Sequence, residues 1–472
     1  MQPRVAAATR HGRGFAFELA SLTVTVARSE LPAAAVQATA RLVQHAIGVC
    51  VAGRDLAVSR IARAAIGSAP GPCTLFGTTA THEAQDAAFA NAVSGHASLL
   101  EDSGPGGKQE GSHPATYVFP AALAMAEQMN ASGMDLLRAV CAAYEGVSRL
   151  GAAMPEAAFE RGFRVVPVLG PFGAAAAAGV LTDLSSEQLA HSFGIAANLA
   201  GGFNQGFVDG TMEPYLHPAF AARNGLLAAG LAAAGCTASP MSLEGERGFF
   251  ATFGGVRAAA LDASVDMTQL AVGRVGTKRY ATCLFNQGTL ALLREQFAQG
   301  SRVSDIAGVV LRRPAAGLNG VHAPGVASAP PYQTALARQM SARFTAAAAL
   351  AGRPVEDATW FERAHEDEEV QGLAQRIEIA IDDTPGIAVE IAFRDGTRTT
   401  LRSATDAVLE FSATATAAQF ADRVRPVLGG STDEVLALLA DLPRLDTLAP
   451  LMSLLRASSE PATIPSAQRR HA

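Results

Sequence analysis

The sequence predicts a mainly α-helical protein, in which a large all-helical domain formed by both ends of the chain carries an inserted, smaller α+β domain. Three observations predict this class. Apolar residues recur at helical spacing in segment after segment up to about residue 265, the pattern then changes to the alternation of strands, and helical spacing returns from Thr416. The boundaries that follow are 1–267 and 404–457 for the helical part and 268–403 for the insertion. Residues 458–472 form a Pro- and Ser-containing tail that reads as disordered.

The elements can be justified in order. Residues 33–51 place Val36, Ala40, Leu42, Val43, Ala46 and Ile47 at helical spacing, and 86–100 repeat the pattern. Further helices are predicted at 120–129, 133–150, 173–181, 186–200, 218–234 and 288–297. Within 218–234 the pair Asn224-Gly225 reads as a helix stop, which leaves Arg223 in a last turn. In the insertion, 306–311, 375–381 and 387–393 read as strands, the last running through the turn Asp395-Gly396 to a further strand at 399–401. A helix extends from near Tyr332 to Leu350 between them. The returning helices are 416–425, 431–442 and 447–456, with Thr416 and Gln419 spaced as a capping box.

Composition narrows the function. A chain of 472 residues exceeds the usual single-domain size and can bury a sizeable core. With 45 glycines, many alanines and 6% aromatics, its helices can approach one another closely. A formal charge of -6 leaves no basic footprint for nucleic acid. The most apolar stretch, 169–181, is too short to span a bilayer and is interrupted by Gly170, Pro171, Gly173 and Gly179, so no membrane partner is expected. Arg4, Arg10 and Arg13 are not followed by the apolar run of a signal peptide. Cys50, Cys73, Cys141, Cys236 and Cys283 form no CxxC pair and fit buried thiols in a reducing cytoplasm, with no metal-ligand spacing.

The chemistry centres on Gly111-Ser112-His113-Pro114-Ala115-Thr116, which lies between the acidic segment Glu101-Asp102-Ser103 and an apolar run from Val118. A histidine held by a following proline at the mouth of a helix, beside a loop containing Gly104, Gly106, Gly107 and Gly111, is placed to move a proton on a small acidic substrate. The plainer alternative is a loop histidine that caps the helix. Glu101 and Asp102 suit a solvated loop face as well as a site wall, and His96 reads as a packing residue on a helix face.

Further motifs follow in order: Phe89-Ala90-Asn91 with Gly95-His96, Tyr144-Glu145, Arg149-Leu150-Gly151, Arg161-Gly162-Phe163, Phe172-Gly173, His217-Pro218, Ala221-Ala222-Arg223-Asn224-Gly225, the run from Leu243 to Phe249, and Lys278-Arg279-Tyr280. In this order, and over nearly the whole of 17–455, the chain resembles the MmgE/PrpD family, which includes 2-methylcitrate dehydratase, cis-aconitate decarboxylase and iminodisuccinate epimerase. The resemblance implies a homodimer, an α+β lid over the helical domain, and an active site between the two that uses no metal or organic cofactor. It also implies a small di- or tricarboxylate substrate and a reaction that begins beside a carboxyl group.

Several positions depart from the family pattern. Leu99 stands where an aspartate is usual, Arg164 where a histidine is, Pro214 at a lysine, Gln287 at a histidine and Phe344 at a lid tyrosine. Arg164 exchanges a titratable ring for a permanent planar cation suited to binding a carboxylate. Acid/base work then falls to His113, with Lys278, Tyr280 and Tyr215 as further candidates, and substrate binding to Ser103, Arg164, His217 and Gln287. Lys278 also has a surface reading. The expected activity is a cofactor-independent lyase, by dehydration or decarboxylation. An isomerase or epimerase, which has no leaving group to assist, is the alternative, and the lost polar groups also fit a homologue without activity.

Overall fold

The structure is a computed structural model that describes residues 14–104, 113–255, 261–297, 302–315, 320–382, 386–403 and 409–456. Gly106, Gly107, Gly111 and Ser112 of the glycine-rich loop, the arginines before residue 14, and the tail 458–472 lie outside the described residues.

The fold is mainly α. Helices α1 (Phe15–Arg28), α2 (Ala33–Gly53), α3 (Ala57–Ala65), α4 (Ala84–Ala97), α5 (Ala115–Gln128) and α6 (Gly133–Ala153) come first. They are followed by α7 (Ala157–Glu160), α8 (Val165–Leu181), α9 (Ser186–Asn198), α10 (Gln205–Asp209), α11 (Glu213–Ala233) and α12 (Phe249–Gly254). Next come α13 (Gln287–Gln296), α14 (Ala335–Met340), α15 (Ala342–Leu350), α16 (Ala358–Arg363) and α17 (Glu368–Ala374), then α18 (Ala413–Leu428), α19 (Thr432–Ala440) and α20 (Ala449–Leu454). The strands are β1 (Cys73–Thr74), β2 (Thr81–His82), β3 (Asp102–Ser103), β4 (Gly276–Thr277), β5 (Ile306–Arg313), β6 (Ile377–Ile381), β7 (Ile387–Phe393) and β8 (Arg398–Ser403).

Small residues set the centre of the helical part. Helix α11 packs against α8, α4 and α9. A Cβ on Gly170 would meet that of Ala221 at 2.5 Å, and one on Gly225 would run into Ala174 and the carbonyl of Pro171. This explains one correction to the sequence reading. Asn224-Gly225 does not stop α11, because Gly225 is the point at which α8 and α11 touch and the Asn224 amide donates across to the Leu199 carbonyl at 2.9 Å. Tertiary contact overrides the local stop signal. Helix α5 likewise starts at Ala115 rather than near Pro120, which sits inside its second turn.

Strands β5 to β8 form one sheet in the order β6-β5-β7-β8, with β5 and β6 parallel and the other pairs antiparallel. The single helix expected from Tyr332 to Leu350 is two, α14 and α15, broken at Ser341, whose hydroxyl accepts from the Phe344 amide. From the carboxy-terminal stretch, α18 packs on α2, with the Phe420 ring seated against Gly48. The cap of α18 is Ser412 rather than Thr416. Ser412 accepts from the Ala415 amide, while the Thr416 hydroxyl donates to the Ser412 carbonyl inside the helix. Four cysteines are buried and Cys236 is exposed. No described helix is long and apolar enough to cross a membrane.

Two helices begin with reciprocal capping, Ser132 with Asp135 and Ser185 with Gln188. Each serine satisfies an otherwise orphaned helix amide. Ser185→Ala is therefore expected to destabilise the protein by about 1 kcal/mol, read as a lower midpoint in urea unfolding with unchanged slope.

Candidate active site

The site is assembled by β3 and β4. These pair Asp102 with Thr277 and Ser103 with Gly276, which sets the acidic segment after α4 directly against Lys278. The far side of Thr277 bridges Glu410, so segments far apart in sequence meet here. Among the described residues beside β3, two that are not glycine have left-handed backbone, Leu99 at φ 51° and His113 at φ 53°. Such a conformation costs of order 1–3 kcal/mol and persists only where surrounding contacts fix it.

Glu101 is the hub. Its Oε1 accepts from Lys278 Nζ at 2.5 Å and lies 3.7 Å from His113 Nε2, and its Oε2 lies 3.5 Å from His96 Nδ1. Glu101, Asp102, Lys278 and His96 are all at most 2% exposed. The surface reading of Lys278 and the solvated one of the two readings of Glu101 and Asp102 are thus corrected, while His96 is buried as a packing residue would be and its ring also faces Glu101. Burial opposes ionisation of Glu101, but the Lys278 ammonium, His96 and His113 hold its carboxyl well below the usual range.

His113 Nδ1 is 2.6 Å from the Asp102 carbonyl oxygen. A carbonyl only accepts, so Nδ1 carries the proton and Nε2 presents its lone pair. Burial, reinforced by Lys278, lowers His113 to about 3, which keeps the ring neutral at pH 7. The Asp102 side chain accepts from the Ala115 amide at 2.9 Å and from the Tyr144 hydroxyl at 2.7 Å. Burial nevertheless raises its carboxyl to about 7.

Arg164 sets the opposite wall. Its guanidinium donates to the Pro214 carbonyl at 2.6 Å, to His217 Nδ1 at 3.2 Å and to His96 Nε2 at 2.8 Å, and it lies over the Phe207 ring with 4.4 Å to the centroid. Guanidinium only donates. His96 is therefore protonated on Nδ1, facing Glu101, and His217 on Nε2. Burial lowers His96 to about 4 against the pull of Glu101, and burial with the Arg164 charge lowers His217 to about 3. Arg164 itself falls to about 9 through burial, so it stays charged at neutral pH.

The remaining candidates separate. The Tyr215 hydroxyl donates to Gln339 Oε1 at 2.5 Å, its ring lies 6.4 Å from that of His96, and burial raises its hydroxyl well above the ordinary value. Ser103 is buried on β3. Gln287 is occupied by backbone: its carbonyl accepts from the Arg279 and Tyr280 amides and its amide donates to the Tyr280 carbonyl at 2.9 Å. The charges nearest Tyr280 are Arg279, Glu356 and Arg294, none of them in the Glu101 cluster. Phe344 is buried among Tyr332, Trp360 and Phe361. The structure thus brings together His113, Lys278, Arg164, His217 and Tyr215. It adds His96, which the sequence reading took as a packing residue, and Glu101 and Asp102, which that reading left open between a solvated loop face and a site wall. A cavity of about 40 Å³ adjoins Tyr215 and Gln339, whereas a groove of about 450 Å³ between α4, α5, α8 and α11 shares none of these residues.

Buried histidines, carboxylates and cations of a helical protein thus converge on a two-residue strand pair. Residues 18–301 match the family model described as the MmgE/PrpD N-terminal domain. The chain belongs to the MmgE/PrpD family. It is 32% identical over 225 residues to a cis-aconitate decarboxylase-like protein of Aspergillus oryzae, covering 46% of each chain. It is also 33% identical over 172 residues to the human cis-aconitate decarboxylase (35% of this chain, 34% of that one), and 30% identical over 187 residues to that of Aspergillus terreus (38% and 37%). The chain thus matches less than half the length of these curated relatives.

Proposed function

We propose that this protein is a cofactor-independent lyase that acts on a small di- or tricarboxylate by moving a proton beside a carboxylate. The observation that carries the reading is the His113 ring, pinned through Nδ1 to the Asp102 carbonyl so that its unprotonated Nε2 lies 3.7 Å from Glu101 Oε1, the oxygen that Lys278 holds, with Arg164 bound to His96 across the site. An anion drawn to Lys278 and Arg164 brings its α-carbon near that lone pair. Its negative charge favours the imidazolium that forms, raising the proton affinity that burial has lowered. The names of the relatives, cis-aconitate decarboxylase and a decarboxylase-like protein, support decarboxylation within that class. In this reading residues 268–403 form a lid over the helical domain, and two copies associate.

Incubation in deuterated water with a panel of di- and tricarboxylates tests it. A lyase yields an alkene or CO2. Deuterium incorporation without loss of a group identifies an epimerase instead, and the absence of both results would remove the catalytic reading. Dialysis against a strong chelator is expected to leave turnover unchanged.

Arg164 supplies a further test. It still has guanidinium hydrogens beyond the three contacts above, and loss of a charge-assisted carboxylate bond should mainly raise KM. Arg164→Ala is expected to raise KM about 10- to 150-fold, the equivalent of roughly 1.5–3 kcal/mol. Arg164→Lys should recover only part of this, because the ammonium keeps the charge without the planar fork. Steady-state kinetics that show an unchanged KM for Arg164→Ala would remove Arg164 from substrate binding.

A further inference from the structure

Two buried polar atoms in the site lack hydrogen-bond partners among the described residues, and they face each other. Glu101 Oε2 and His96 Nδ1 are 3.5 Å apart, too far for a good charge-assisted hydrogen bond, which closes to about 2.7–2.9 Å. Both residues are at most 2% exposed, so neither atom has bulk water to fall back on. The arrangement is matched for a bond that has not closed. Arg164 donates to Nε2 of His96, which forces the ring proton onto Nδ1, directed at the carboxylate. What holds Glu101 short of that proton is its other oxygen, drawn to Lys278 at 2.5 Å.

We propose that Glu101 is an exchangeable internal counter-ion, which holds Lys278 in the resting site and yields it to a substrate carboxylate by swinging onto the His96 Nδ1–H. The proposal rests on the carboxylate-substrate reading above. The incoming anion replaces Glu101 at Lys278, while the Glu101 carboxylate rotates away from Nζ, closes its 3.5 Å gap to His96 and satisfies both orphaned atoms. Lys278 keeps the Leu99 carbonyl, at 3.4 Å, as a second acceptor throughout. The exchange selects substrates: a ligand without a carboxylate offers Lys278 nothing in return for Glu101 and leaves the site closed. His96 acts as a positioning residue, since it receives Glu101 and does not touch the substrate.

The exchange can be read by calorimetric titration of the full-length protein with two unreactive carboxylates, succinate and tricarballylate. Glu101→Gln removes the competing charge and should bind the better probe at least about 10-fold more tightly than wild type. His96→Phe leaves Glu101 no landing donor and should bind about 10-fold more weakly, while His96→Asn, whose amide can donate from nearly the same place as Nδ1, should stay near wild type. In the Glu101→Gln background the His96→Phe penalty should vanish, because there is no charge left to receive. A static Glu101 that merely anchors Lys278 makes the opposite forecast: unchanged or weaker binding in Glu101→Gln and a His96→Phe effect that persists in the double variant. Either result would overturn the exchange while leaving the carboxylate site standing. If wild type bound neither probe, the carboxylate reading itself would fall and the exchange with it. Should Glu101→Gln fail to fold by thermal melt, the two His96 variants decide alone, and wild-type affinity in His96→Phe would refute the proposal.

Discussion

His113→Ala is expected to lower kcat by about two to four orders of magnitude with little change in KM, which is the size of a general acid/base contribution. The expectation comes from how the ring is held. Its Nδ1–H is tied to the Asp102 carbonyl at 2.6 Å, so the lone pair cannot turn away from the side where Lys278 and Glu101 lie. The left-handed backbone at φ 53° is costly for a histidine and free for a glycine. His113→Gly should therefore lose turnover as fully as the alanine variant while recovering part of the strain, and should melt at or above the temperature of His113→Ala. A histidine that served only as a helix cap would give another pattern, with about 1 kcal/mol of stability lost and turnover kept. Near-normal kcat in His113→Ala would end the assignment and move the search for the base to Lys278 and Tyr215.

How much of this was legible in the sequence depends on the range of the interaction concerned. Helix periodicity and strand alternation are local, and they locate most elements: β7 is found residue for residue at Ile387–Phe393. Signals that compete with tertiary contacts misled. Asn224-Gly225 looks like a stop when only neighbours in sequence are considered, yet Gly225 is spent on the approach of α8. The site shows the same division. His113 carried its own signal, a histidine between a glycine-rich loop and a helix. Glu101, Asp102 and His96 carried only divided signals, because an acidic pair after a helix reads as solvated as readily as a site wall until the β3–β4 pairing closes over it. That pairing joins residues about 175 apart in the chain, where no spacing rule reaches. Gln287 illustrates the converse, a polar residue at a motif position whose amide turns out to brace the loop that carries Lys278-Arg279-Tyr280.

The buried histidines make stability depend on pH in a direction that Asp102 opposes. Burial first, and then neighbouring cations, keep His96 at about 4 and His113 and His217 at about 3, and burial together with Arg423 lowers His45 too. The unfolded chain takes up these protons near pH 6.5 and the folded protein does not, so ν_U exceeds ν_N and stability is lost as pH falls through 6.5. Between pH 7.5 and 5.5 each histidine withdraws somewhat more than about 1 kcal/mol, or about 4 kcal/mol for the three with the values above. Asp102 works the other way. Burial raises its carboxyl to about 7, so the folded protein binds that proton more readily than the unfolded chain, and acidification over the same interval returns about 2 kcal/mol. Wild type is then expected to lose only about 2 kcal/mol from these four groups. Asp102→Asn can preserve both contacts, its carbonyl accepting from the Ala115 amide and its NH2 donating to the Tyr144 oxygen, but it has no proton to gain. Its loss between pH 7.5 and 5.5 should deepen to about 4 kcal/mol, and at pH 7.5 it should be the more stable of the two proteins. Urea unfolding of both at the two pH values checks the argument. Parallel losses in wild type and Asp102→Asn would mean that Asp102 is already ionised in the folded protein throughout this range, and that Tyr144 and the Ala115 amide outweigh its burial.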